Sequence, residues 1–205
     1  MLEKIADVAG TTLNVSEYLD DFSKNFGSIP DIFWKIERRQ SFREPDVPSW
    51  LAMAAGDWTA SLRLIEDMRQ TALDEAATHR TFERRRLRFV RRPVTPYLQW
   101  ELHVLKVREE AGEQIRVVDV DHVDDLESGR HLPEVVVLGS IVAYEVTYDV
   151  GGTLTGARRI TAPDVIAGCR QDAEELFGKA ENLISFFERE IAPLPPPSPP
   201  VVLQS

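Results

Sequence analysis

The stretch RLRFVRRPVTPYLQWELHVLKVREEAGEQIRVVDV, residues 86–120, decides the fold. Its first seven residues (Arg86–Arg92) alternate apolar and charged side chains up to Pro93, the period of a β-strand. Thr95 then caps a helix that takes Pro96 at its first position and closes at Gly112. QIRVVDV (Gln114–Val120) is the next strand. A strand, helix and strand in 35 residues form a compact unit whose crossover is right-handed if the two strands run parallel.

Outward from this unit, the same reading assigns the remaining elements. Ser16–Phe26 is a short helix with Tyr18, Leu19, Phe22 and Phe26 on one face. IFWKIER (Ile32–Arg38) is a strand, and a helical turn surrounds Trp50–Ala55. Asp57 caps a longer helix whose stripe is Trp58, Leu62, Ile65, Met68, Ala72 and Ala76, read as core packing. EVVVLGSIVAYEVTYDVGGTLTGARRI (Glu134–Ile160) reads as strands turning at Gly151-Gly152. Thr161 and Asp164 form a capping box for a last helix whose apolar stripe runs from Val165 to Ile191. The fold expected is α/β (α+β), a mixed sheet covered by helices with an N-terminal helical part. Residues 1–15 are expected to be flexible, 16–192 to form one domain, and the proline-rich 193–205 to be a disordered tail.

Charge and composition narrow the function classes. A formal net charge of −10 opposes encounter with polyanions. Cys169 is the one cysteine, so no disulfide within the chain is possible, and its stripe position makes it a small core hydrophobe. The N-terminus lacks the pattern of a secretion signal, and VVVLGSIVAYEV is too short to span a bilayer, so a cytoplasmic location is expected.

Catalytic patterns are not legible. Gly151–Gly156 lies between two strands and reads as a hairpin turn, not a phosphate loop. DVDHVDD (Asp119–Asp125) lacks the glycine and glutamate of a calcium loop and reads as a solvated acidic loop. His79, His103, His122 and His131 are separated, on exposed helix faces or loops, and no serine sits in a nucleophile elbow. No catalytic residue, metal or cofactor is therefore assigned.

Two regions remain for recognition. Seven arginines lie between Arg80 and Arg92 against Glu83 alone. Arg84, Arg85, Arg86, Arg88 and Arg91 could contact nucleic acid or a partner, or be compensated internally by the acidic Asp119–Glu127 segment; the internal option is preferred. The Pro96–Ala111 helix has two apolar sides, Leu98, Leu102 and Leu105 against Trp100, Val104, Val107 and Ala111. Gln99, His103, Lys106 and Glu110 fill the wide polar gap between them; Tyr97, Glu101 and Arg108 share the narrow one. A carboxylate there needs a partner: either Glu101 ties to an internal arginine, or it lines a pocket with Tyr97 and Trp100. The tie is preferred.

The run PVTPYLQWELHVLKVREEAGEQIRVV, with IFWKIERRQSF and the later GDW, resembles a family of actinobacterial proteins of unknown function. The resemblance implies a degenerate phospholipase-D-like half and frequent genomic company with helix-turn-helix regulators. It also marks Tyr97, Trp100, Glu101 and Arg116 as a candidate ligand pocket. Active members of that fold need His-any-Lys; here the four histidines are followed two places on by Thr81, Leu105, Asp124 and Pro133. The expected function is a non-catalytic regulatory or binding module, acting with a DNA-binding regulator or sensing a small ligand. The alternatives are a phosphoester- or nucleotide-processing enzyme and direct nucleic-acid binding through Arg80–Arg92.

Overall fold

The computed structural model describes residues 1–78, 81–120 and 131–198. His79, Arg80, the Asp121–Glu127 part of the acidic segment with His122, and the tail from Pro199 onward lie outside the described residues. The expected mixed α/β architecture is present. Among the described residues, eight strands form one sheet: β1 Thr11–Leu13, β2 Ile32–Glu37, β3 Glu83–Val90, β4 Gln114–Asp119, β5 Glu134–Leu138, β6 Val142–Tyr148, β7 Leu154–Ile160 and β8 Glu181–Asn182. Their spatial order is β1-β7-β6-β5-β2-β3-β4-β8. The pairs β2–β3 and β3–β4 are parallel and every other pair is antiparallel.

Parallel neighbours need a crossover, and the chain supplies two. Helices α2 (Pro48–Ala54), α3 (Trp58–Asp67) and α4 (Arg69–Thr78) connect β2 to β3; α5 (Pro96–Glu110) connects β3 to β4. The chain later returns on the other side of β2 as β5, so strand order reverses at β2. Alternation along the strands gives the sheet two unlike faces. One carries Trp34, Ile36, Leu87, Phe89, Val118, Val135 and Val137 beneath α6 (Pro163–Lys179), whose buried Cys169 belongs to that core as expected. On the opposite face, α1 (Val15–Phe26) covers Phe33, Val136 and Tyr144, and α5 covers Val90, Ile115 and Val117. Between these two apolar fields run Lys35, Glu37, Arg86 and Arg88.

Four local expectations are corrected. Residues 1–15 are not a loose arm: Leu2 and Ile5 are buried in a 3₁₀ turn (Leu2–Asp7), and β1 pairs with β7. Arg158 fastens that turn by donating to the carbonyls of Ile5 and Val8. Gly156 admits β1, since at φ +141° a Cβ there would stand 2.1 Å from the Leu13 carbonyl oxygen. The long stripe from Trp58 to Ala76 breaks at Met68 into α3 and α4, and none of the residues of α4 is buried. The capping box at Thr161 does not form; α6 begins at Pro163 after Ala162, with no side-chain cap. Its stripe also does not continue to Ile191. Ala180 turns extended, β8 covers the edge of β4, and Asn182 caps the short α7 (Leu183–Phe186) by accepting from the N–H groups of Ile184 and Ser185. A helix carried on would have left the β4 edge unpaired, and pairing that edge satisfies backbone groups the helix could not.

The described start of the tail is also held: Pro195 offers its carbonyl to Nε2 of Gln99, 2.9 Å away. Among the described residues, no helix is long and apolar enough to cross a membrane.

Burial of the N-terminus makes a direct prediction. Ile5→Ala is expected to lower unfolding stability by about 2–5 kcal/mol, as for other core Ile truncations. Urea denaturation measures this, and a flexible arm would give no change.

Candidate functional site

The side chains of Lys35, Glu37, Arg86 and Arg88 meet because the register sets Lys35 beside Arg86 and Glu37 beside Arg88. They are sealed by α5, which brings Tyr97 and Glu101, and by Glu113 at its exit. Arg86 is 4 % exposed and bridges two acids, with Nη1 2.5 Å from Glu37 and Nε 2.7 Å from Glu113. Glu113 also accepts from Arg108 Nε at 2.9 Å, and Lys35 reaches Glu37 at 2.7 Å. Arg88, with no exposed surface, donates through Nε to Glu101 at 2.6 Å and through Nη1 to the carbonyls of Glu37 and Phe89. Its Nη2 has no hydrogen-bond partner among the described residues, and the guanidinium lies 5.9 Å from the centre of the Phe42 ring.

The electrostatics follow from this closure. Burial would raise Glu37 and Glu113, but Arg86 overcomes it, helped by Lys35 and Arg108 respectively, so both carboxyls are held low, Glu113 at about 2. Burial pushes Glu101 up while Arg88 pulls the other way. The Tyr97 hydroxyl stands 3.3 Å from both Glu101 and Glu44, and burial among those carboxylates raises its pKa too.

The seam settles the choice posed for Glu101: it ties α5 to β3 through Arg88. Tyr97 and Trp100 stand beside it but pack shut, with Trp100 Nε1 donating to Ser49 Oγ at 3.3 Å. Arg116 does not join them. Paired with Leu87 in the register, it points to the α6 face, 5.0 Å from the Phe177 ring centre.

Of the six described arginines of the segment, four are paired internally, chiefly by other acids than expected. Arg85 pairs with Glu83 and Glu174, Arg86 with Glu37 and Glu113, and Arg88 with Glu101. Among the described acids of the Asp119–Glu127 segment, Asp119 takes Arg92. Arg84 is half-buried, and Arg91 is exposed. Nor is His103 on an exposed face: it is wedged edge-on between the Trp58 and Phe187 rings, and burial with Lys106 nearby lowers its pKa to about 4.

A cavity that the sequence reading did not single out opens where the seam ends. Arg38, Arg39, Gln40, Ser41, Arg91, His131, Leu132, Pro133, Glu134, Val146 and Tyr148 enclose about 470 Å³ at the C-terminal ends of β2 and β3. Gln40 shapes it by extending the ladder with its side chain. Its Nε2 donates to the carbonyls of Arg38 (2.7 Å) and Phe89 (2.9 Å), and its Oε1 accepts from Arg91 N (2.7 Å). Glu134 closes the floor, accepting from the backbone N–H of Arg38 at 3.0 Å and of Arg39 at 2.6 Å. Burial, against the pull of Arg88 and those N–H groups, raises its carboxyl to about 7. The sequence signal was there: an arginine pair directly follows each of two strands, Arg38-Arg39 and Arg91-Arg92. Only the parallel pairing of those strands reveals that Arg91 meets Arg38 and Arg39 at one cavity.

A family model described as Domain of unknown function (DUF6879) matches residues 20–188. The chain belongs to this family. The match takes in the seam and the strand-end cavity alike. Neither a curated protein nor a solved structure matches this DUF6879 chain significantly. Among the described residues, no group of three or more His, Cys, Asp or Glu side chains is placed to hold a metal ion.

Two predictions follow from the charges. Arg88→Met leaves Glu101 buried without its counter-charge and is expected to destabilise by about 3–5 kcal/mol in urea; Arg88→Met with Glu101→Leu recovers most of that loss. For Glu134, a carboxyl raised when folded contributes stability that is complete below its unfolded pKa and is lost as pH rises through about 7. The stability of Glu134→Gln minus that of the wild type should therefore grow between pH 5 and pH 8, measured by denaturation at each pH.

Proposed function

We propose that this DUF6879 chain is a recognition domain and not a catalyst, with the buried ion seam as scaffold and the strand-end cavity as the receptor site for a small ligand. The observation that carries this is a contrast in how polar groups are used. In the seam, each of Glu37, Glu101 and Glu113 is committed to an arginine within 2.7 Å. In the cavity, Arg39 Nε is buried without a partner among the described residues, and Arg91 is exposed with no ion pair recorded there. Binding groups held unspent on a rigid floor suit a ligand that arrives from solution. The location supports the same reading, because sheets with parallel strands offer a crevice at the strand ends where the strand order reverses. A DNA-binding regulator as the protein that reads the bound state is suggested by the family resemblance alone.

A small-molecule thermal-shift screen on the full chain tests the proposal. A ligand at a hundredfold its Kd adds about 2.7 kcal/mol of stability. Hits should lose their effect in Ser41→Trp, which fills the mouth of the cavity from an exposed loop position, and should be recovered chemically intact after prolonged incubation. Hits unaffected by Ser41→Trp, or converted to product by the protein, would sink the reading.

A further inference from the structure

We infer that the group this cavity recognises is an oxyanion, a carboxylate or a phosphate carried on a small organic body, with Arg39 and Arg91 as its ligating side chains. The inference rests on the receptor reading above and adds its chemical class.

The charge of the lining runs against that of the chain. The chain carries −10, yet the described lining residues include Arg38, Arg39 and Arg91, with Glu134 as the one carboxylate. That carboxylate is turned to the backbone of residues 38 and 39 and is held mostly protonated below pH 7. Its negative charge therefore weighs least against a bound anion in acid.

The arginines divide by use. Arg85, Arg86, Arg88 and Arg92 all have carboxylates in contact. Arg38 is engaged as well, with Nη2 3.3 Å from His131 Nδ1. Of the three arginines that line the cavity, Arg39 and Arg91 are left. Among the described residues the Arg39 side chain has a single hydrogen bond, from Nη2 to the Asp149 carbonyl at 3.3 Å, and its buried Nε makes none. Leaving such a donor unmet is unfavourable, and an accepting ligand would remove that cost.

The Arg39 guanidinium is also positioned in advance. It lies 5.7 Å from the Tyr148 ring centre and 6.0 Å from that of Phe42, which restricts its plane before any ligand arrives. A planar fork with free donors matches the two oxygens of a carboxylate or phosphate. Val146, Leu132 and Pro133 offer an apolar wall to the body of the ligand. A neutral ligand would leave the Arg91 charge unanswered.

Isothermal titration of the full chain with phenyl phosphate, benzoate and neutral benzamide tests this. At least one of the two anions should bind, more tightly than benzamide by tenfold or more, with affinity falling as salt is raised. Arg91→Ala, an exposed position, should weaken that anion by roughly tenfold, and Arg39→Ala by at least as much. The tighter of the two anions tells phosphate from carboxylate. Benzamide binding as tightly as either anion, and lost in Ser41→Trp, would overturn the oxyanion class while leaving the receptor reading intact. Anion binding unchanged in both arginine variants, or no anion binding up to about 10 mM, where the interaction is worth under 3 kcal/mol, would overturn it as well.

Discussion

A guanidinium with no exposed surface, Arg88, facing the carboxylate of Glu101 across 2.6 Å is the constraint on which the rest of this structure depends. Taking either charge from water alone would cost several kcal/mol, so the pair must form whenever α5 lies on the sheet. Arg86 does the same between Glu37 and Glu113. These ties join β2, β3, α5 and the turn after α5 into one unit. They also define the register. Sliding β3 by one residue would bring Leu87 and Phe89 beneath α5 and turn Arg86 and Arg88 towards Trp34, Val118 and Cys169.

The strand-end cavity is a consequence of the same arrangement. Because β2 and β3 run parallel and in register, the chain leaves both at the same edge, and the residues after them stand side by side. Gln40 then joins the two exits through three hydrogen bonds to backbone groups. Glu134, one step beyond the β2–β5 pairing at Val135, reaches the backbone N–H groups of residues 38 and 39. The division of labour among the arginines follows from depth. Arg86 and Arg88, within the strand, face Glu37, Glu101 and Glu113, whereas Arg39 and Arg91 come after the last ladder residues and have no carboxylate in contact among the described residues.

Much of the fold was legible because periodicity reports burial. The 3.6 period between Thr95 and Gly112, with a cap, a first-turn proline and a closing glycine, matches α5, and the alternation before Pro93 matches β3. The two misread helix stripes share one physical cause. The stripes of α3–α4 and of α6–α7 are continuous in sequence, but a stripe says only that residues would share a face if the helix continued. Whether it does depends on what the neighbouring surface offers. At Ala180 the open edge of β4 outweighed helical continuity. Alternating arginines look like a solvated strand face, since burying a charge is normally too costly. The partners that make it tolerable are Glu37, 49 residues away from Arg86, and Glu101, 13 residues from Arg88.

By itself the sequence determined the kinds of elements, the central strand–helix–strand unit, the burial of Cys169 and the need of Glu101 for a counter-charge, because these depend on local period, capping and the cost of desolvation. The tertiary structure alone decided that Arg88 would be that counter-charge, that Arg116 would lie across the sheet from Tyr97, and that Arg38 and Arg39 would border one cavity with the distant Arg91. Those outcomes depend on strand order and register, which arise from contacts between residues far apart in the chain and leave no periodic trace along it.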